Sequence, residues 1–204
     1  MSKAKLLEIF ERNMMTKRTL DEQFKIQNNR HKTDHQDNFG VPVAFIHSSN
    51  KSFDENFSFF ENAIKVYGGK VEKFENYEKD QAVVISYENG SKEVWVHPRE
   101  DNYVKIYNSF IEKYEGVILD KNYREAGYAI DHSYNKASIK KNIDGHIRLF
   151  LVKSSVNSSW GGYFEKKLAK LFNNSDKSGI RKETVAIRAK ITGIKAPKKR
   201  FGGK

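Results

Sequence analysis

Three short segments in the second half of the chain hold residue types that can bind a metal ion and move a proton. Ala129-Ile130-Asp131-His132-Ser133-Tyr134-Asn135 reads as a strand ending in a carboxylate beside an imidazole. His146 to Val152 reads as a second strand. Val156-Asn157-Ser158-Ser159-Trp160-Gly161-Gly162 then opens a helix carrying Glu165 and Lys166. Carboxylate and imidazole side chains hold divalent cations, and an imidazole accepts a proton near neutral pH. The chain has no cysteine, so any metal must sit on His, Asp, Glu or Asn.

From Gly127 to Phe172, less than a quarter of the chain, the order strand, polar loop, strand, helix resembles the HNH nuclease family with its ββα-metal finger. The resemblance implies metal-dependent cleavage of a nucleic-acid phosphodiester. It implies His132 as the general base, Asp131 as a metal ligand, Asn157 as the residue that orients the His, and Glu165 as the second ligand with Lys166 beside it. The implied cofactor is a divalent metal, Mg or Mn, with Zn as the alternative. Two departures stand out. The helix has no His at the family's third position, so that place falls to Glu165. No Cys pairs flank the finger, so the zinc support found in part of the family is missing. Plainer readings exist for the same residues: Asp131-His132 as a solvent-facing strand end, and Asn157 as an ordinary helix N-cap. Gly161-Gly162 at a helix start means either a later start or the close approach of a phosphate.

The net charge is +11, and the segment from Lys177 to Lys204 holds ten Lys or Arg against one acid, Glu183. That segment therefore carries +9 of the total. Such a density neutralises phosphates and releases their counterions, so DNA or RNA is the expected partner. Lys198, Lys199 and Arg200 are its densest run. Lys136, Lys140 and Lys141 lie in the loop between the two strands. Arg148 alternates with Ile147 and Leu149, so it faces away from the apolar side, either to clamp a phosphate or to be solvated.

Three functions compete. The first is a metal-dependent endonuclease. The second is a non-catalytic nucleic-acid- or ribosome-binding protein, for example of a phage or bacterium, with the same basic tail. The third is a protein-binding module in residues 41–120. His31, Asp34 and His35 form a further cluster that can bind metal or simply be solvated. His47 and His97 each end a strand without an obvious partner. Tyr103, Tyr107 and Tyr114 form a stripe at helical spacing that either stacks on bases or packs against the core.

The elements that must position these residues read as an α+β chain. Residues 1–40 form an N-terminal helical segment, with Thr19-Leu20-Asp21-Glu22 as a capping box for a second helix. Residues 41–120 form an α/β part. Its helix opens at the capping box Ser52-Phe53-Asp54-Glu55, and its hairpin turns at Asn89-Gly90 through a type I′ turn. Residues 121–176 form the ββα finger-like unit, with a helix over 157–172. Residues 177–204 form a flexible basic tail, with a weak strand over 184–191. No run of about 18 apolar residues exists, so no membrane span is expected. The lack of cysteine fits a cytoplasmic location, and the Lys- and Asn-rich, Pro-poor composition fits an AT-rich coding sequence.

Overall fold

Two helices begin where a hydroxyl residue precedes a glutamate by three positions. Helix α1 (Leu20–Thr33) is preceded by Thr19, whose N–H donates to Glu22 Oε2 at 2.9 Å, while the Glu22 N–H donates to Thr19 Oγ1 at 3.3 Å. Helix α2 (Phe53–Val66) is preceded by Ser52, which makes the same reciprocal pair with Glu55 at 2.8 and 3.3 Å. Each box satisfies donors that a helix start otherwise leaves bare. Backbone hydrogen bonds to the ionised carboxylates hold both glutamates below the usual acid range. Replacing Ser52 by Ala removes one cap, so Ser52→Ala should lower the unfolding free energy by about 1 kcal/mol. Urea denaturation checks this, and Ser52→Gly should lose only a few tenths of that unit.

The computed structural model describes residues 15–33, 40–120, 122–134, 144–161 and 178–197. Its other helices are α3 (Tyr103–Glu115), α4 (Ser154–Gly161) and α5 (Val185–Ile191). Its strands are β1 (Thr16–Arg18), β2 (Pro42–Ile46), β3 (Gly69–Lys73), β4 (Ala82–Tyr87) and β5 (Lys92–Val96), then β6 (Val117–Leu119), β7 (Tyr128–His132), β8 (Gly145–Lys153) and β9 (Gly179–Lys182). The fold is α+β. Seven of these strands form one antiparallel sheet in the order β3-β4-β5-β8-β2-β9, with β7 also paired to β8. Strands β1 and β6 form a separate parallel ladder.

Strand β8 is the centre of the sheet. Its first half pairs with β2, as in Phe45↔His146, and with β5, as in Trp95↔Arg148. Its second half pairs with β7 from His132↔Leu149 to Tyr128↔Lys153. Every residue from Gly145 to Val152 is buried, because both faces of the strand are covered. On one face α1 and α3 set Leu20, Phe24, Ile106 and Phe110 against Val84, Val94, Leu149 and Leu151. On the other, Phe57, Phe60 and Ile64 of α2 cover Phe45, Val83 and Trp95. Further along β8, Val156 and Trp160 of α4 and Ile191 of α5 cover Phe150 and Val152.

Several local expectations change. The Asn-Gly hairpin exists between β4 and β5, but only Gly90 has positive φ, at 82°. Gly90 N–H donates to the Tyr87 carbonyl and Tyr87 N–H to the Ser91 carbonyl, both at 2.9 Å. This is a three-residue loop, a tight turn followed by a left-handed Gly, and not a two-residue type I′ turn. The segment 184–191 is helical and not extended: Thr184 caps it through a 3.2 Å bond from Ile187 N–H. The strand lies just before it, at β9, where Ile180 and Arg181 pair with Phe45 and Ala44 of β2. Much of the expected flexible tail is therefore part of the main sheet and its covering layer. The helix that closes the expected strand–strand–helix order, α4, starts at Ser154 directly after β8, so Asn157 lies within the helix and does not cap it.

Candidate functional site

The strand–strand–helix order is present: β7 runs antiparallel to β8, and α4 follows without a gap. The side chains are distributed differently from the finger pattern. Neighbouring residues of a strand point to opposite faces. His132 falls on the face of Tyr128 and Ile130, is 5% exposed, and has its ring 4.8 Å from that of Tyr103 on α3. Asp131 falls on the other face, beside Ala129, toward α4 and α5. Its Oδ2 lies 2.6 Å from Lys190 Nζ of α5, and its Oδ1 accepts the His132 N–H at 2.8 Å. Lys190 is itself buried, with its ammonium over the Phe150 ring. Thus Asp131 neutralises a buried cation, while His132 packs in the core on the far side of the sheet. The half-buried Asn157 is on α4, the helix that packs on the Asp131 side. Glu165 and Lys166 lie outside the described residues, as do Lys136, Lys140 and Lys141.

Arg148 is neither solvated nor set to clamp a phosphate. It is buried, and its Nη1 lies 2.9 Å from Glu93 Oε1, which is also buried. Glu93 Oε2 accepts from Tyr87 Oη at 3.2 Å and from Trp95 Nε1 at 3.1 Å. The physical reason is the central position of β8: alternation away from one apolar face leads to a second covered face, not to water. Arg148 and Glu93 also border a cavity of about 40 Å³, with Gln27, His31, Tyr107 and Glu115 among its other walls. There β8 has no strand hydrogen bonds from β5. The amide of Gln27 replaces them, donating to the Leu151 carbonyl at 2.9 Å and accepting its N–H at 2.7 Å. Glu115 binds Arg30 at 2.7 Å and also pairs with Arg18. The cavity's charges are thus matched within the protein. Tyr107 is buried, while Tyr103 and Tyr114 are partly buried against the same core, so the tyrosine stripe is a packing face.

The basic segment is anchored at its described part. Glu183 has a side chain only 1% exposed and meets His31 Nε2 at 2.7 Å and Arg188 Nε at 2.8 Å. His31 thus joins α1 to the C-terminal segment; Asp34 and His35, the other members of its sequence cluster, lie outside the described residues. Further on, Trp160 Nε1 donates to the Ile194 carbonyl at 2.8 Å, and Ala196 N–H donates to Ser159 Oγ at 3.0 Å. Lys198, Lys199 and Arg200 follow directly and lie outside the described residues.

One grouping escaped the linear reading. His47, His97, Asp144 and His146 come together at the ends of β2, β5 and β8. Nothing in their local sequence marks this, since the four residues span a hundred positions. A signal was available only once the strand register was known. Among the described residues, no group of three or more His, Asp or Glu side chains could hold a metal ion. Nor is any described helix long and apolar enough to cross a membrane. No family model matches the chain, and no curated protein or solved structure shows significant similarity to it.

Proposed function

We propose that the chain is a nucleic-acid-binding protein that grips phosphates through its basic C-terminal segment, and that β7, β8 and α4 are scaffold. One observation carries the reading: residues 177–204 hold +9 of the +11 net charge. Cations at this density gain affinity by displacing the counterions of a nucleic acid. The bonds from Ser159 and Trp160 to Ala196 and Ile194 hold the start of the cationic run against the globular body. Anchoring lowers the entropy lost when the run engages a phosphate chain.

The metal-dependent endonuclease reading has one observation in its favour, the β7–β8–α4 order. It requires Asp131 to release Lys190 and a buried His132 to act across the sheet, so binding without cleavage is the better-supported reading.

The test uses full-length protein with single- and double-stranded DNA and RNA over a salt series. Truncation at residue 176 is unsuitable because it removes Ile191 from the core. The quadruple variant Lys195→Gln, Lys198→Gln, Lys199→Gln, Arg200→Gln is suitable. It should weaken binding at least tenfold and flatten the plot of log affinity against log salt by up to about 3.6 units on duplex DNA and about 2.8 on single strands. An unchanged slope would remove the segment from the interface. Incubation of plasmid and RNA with Mg²⁺, Mn²⁺ or EDTA tests the alternative. Metal-dependent cleavage that disappears in His132→Gln would install the nuclease reading instead.

A further inference from the structure

Two side chains that can take up a proton sit in the apolar layer between α2 and the sheet. Phe45 of β2 pairs with His146 of β8, so His47, two residues on, shares the face of His146. The two imidazole rings lie 5.5 Å apart. Helix α2 covers both of them. Phe60 stacks on His146 at 4.9 Å with an interplanar angle of 8°, and Phe57 meets the same ring edge-on at 6.0 Å. Phe53 meets His47 edge-on at 5.8 Å. His146 is fully buried and His47 is 6% exposed.

The hydrogen bonds show what a further proton would meet. The His146 Nε2–H donates to the Lys79 carbonyl at 2.8 Å, so a proton added to this ring goes to Nδ1. That Nδ1 is buried without a hydrogen-bond partner, and so is His47 Nε2. A charged imidazole carries a proton on both nitrogens. Either ring, once charged, therefore holds a buried N–H with no acceptor, set among phenylalanines. The charged groups that face the pair do not compensate. Asp144, at the entry to β8, is 57% exposed at the rim, and its Oδ1 is already engaged by His97 Nε2 at 3.1 Å. Lys79 sets its ammonium over the Phe57 ring at 4.7 Å, which adds positive charge. The α2 residues against the rings are the three phenylalanines, which carry no charge. Burial outweighs the attraction of Asp144 and pushes His47 down to about 4 and His146 to about 3, from an ordinary 6.5. Both rings are thus neutral at pH 7.

We propose that His47 and His146 form a proton-sensitive latch, whose neutral pair holds α2 on the sheet and whose protonation in mild acid releases α2 ahead of the α3 side of the core. Rings released into water bind protons near 6.5, and the packed rings do not. The open form therefore gains protons as the pH falls below 6.5, and the latch weakens down to about pH 4. Two such rings favour the open form by up to about a hundredfold per pH unit. Release is local because the aromatic neighbours of the two rings, among the described residues, belong to α2 and β2, while α1 and α3 pack on the opposite face of the sheet. Opening uncovers Phe45, Phe60 and Trp95, an aromatic face. The latch is independent of nucleic-acid binding, and no nucleic acid enters its test.

Hydrogen exchange of the full-length protein is followed at pH 7, 6 and 5, with protection factors corrected for the intrinsic pH dependence of amide exchange. Protection over α2 should fall at least about a hundredfold from pH 7 to pH 5, and further than over α3. In this range the contribution of Glu183, which fades below 4.5, is nearly intact. The double variant His47→Gln, His146→Gln keeps an amide that can donate to the Lys79 carbonyl but has no ring to protonate. Its α2 protection should change less than about tenfold over the same range, with circular dichroism at pH 7 confirming its fold. The wild-type measurement decides even if that variant does not fold. The latch is overturned if wild-type protection over α2 changes less than tenfold or falls no further than over α3, and equally if the folded double variant keeps the wild-type fall.

Discussion

Arg148→Met should lower the unfolding free energy by about 3–5 kcal/mol, because it removes one side of a buried ion pair, the guanidinium that meets Glu93 at 2.9 Å. Arg148 and Glu93 sit on adjacent central strands, each with a side chain less than a tenth exposed. The two donors from Tyr87 and Trp95 to Glu93 Oε2 soften the loss but carry no charge. The double variant Arg148→Met, Glu93→Leu should recover most of the stability, since two apolar side chains need no partner there. A double-mutant cycle in urea reads the coupling directly. A coupling below about 0.5 kcal/mol would show that the pair contributes nothing specific. Arg148→Met should leave nucleic-acid affinity unchanged under conditions where the variant is folded. A phosphate-clamping Arg148 would give the reverse pattern, with lost affinity and small loss of stability.

Glu183→Ala should cost about 3 kcal/mol and should release the C-terminal segment first. The glutamate is the shared partner of His31 and Arg188, and it holds β9 and α5 to α1. Hydrogen exchange should therefore quicken in residues 179–191 before it quickens in β4 or β5. Burial by itself would raise the Glu183 carboxyl, but the hydrogen bonds and charges of His31 and Arg188 outweigh it and hold the group below the ordinary glutamate value of 4.5. The sign follows from linkage. With the folded value depressed, the unfolded chain binds the proton more readily, so this contribution is fully present above the unfolded value and fades as the pH falls through the folded one. The stability gap between wild type and Glu183→Ala should thus be widest above about pH 6 and narrow in acid. A gap that widened on acidification would contradict the assignment.

Local signals carried far into the structure. The pairs Thr19/Glu22 and Ser52/Glu55 predict helix starts, and both boxes form, because their hydrogen bonds close within four residues. The Asn89-Gly90 pair predicts a hairpin, and the hairpin forms. Its turn type differs because one additional residue, Glu88, is taken into the loop. The α+β class and the strand–strand–helix order after Gly127 were likewise legible.

Alternation around Arg148 predicts the right face but not its burial. A period of two says which residues share a face, but not whether that face meets water. Only the tertiary structure places β8 at the centre of seven strands, covers its second face with α2, α4 and α5, and so buries Arg148 against Glu93 and brings Lys190 to Asp131. The histidine cluster shows the same limit. His47, His97 and His146 were visible as strand ends, each alone. Their meeting depends on the register of β2 and β5 against β8, which is set by packing between segments far apart in the chain. The helix caps, the place of the hairpin and the charge distribution are legible in the chain alone, because those act over a few residues. The tertiary structure alone decided which polar groups face one another, because that is settled by which hydrophobic faces are buried together.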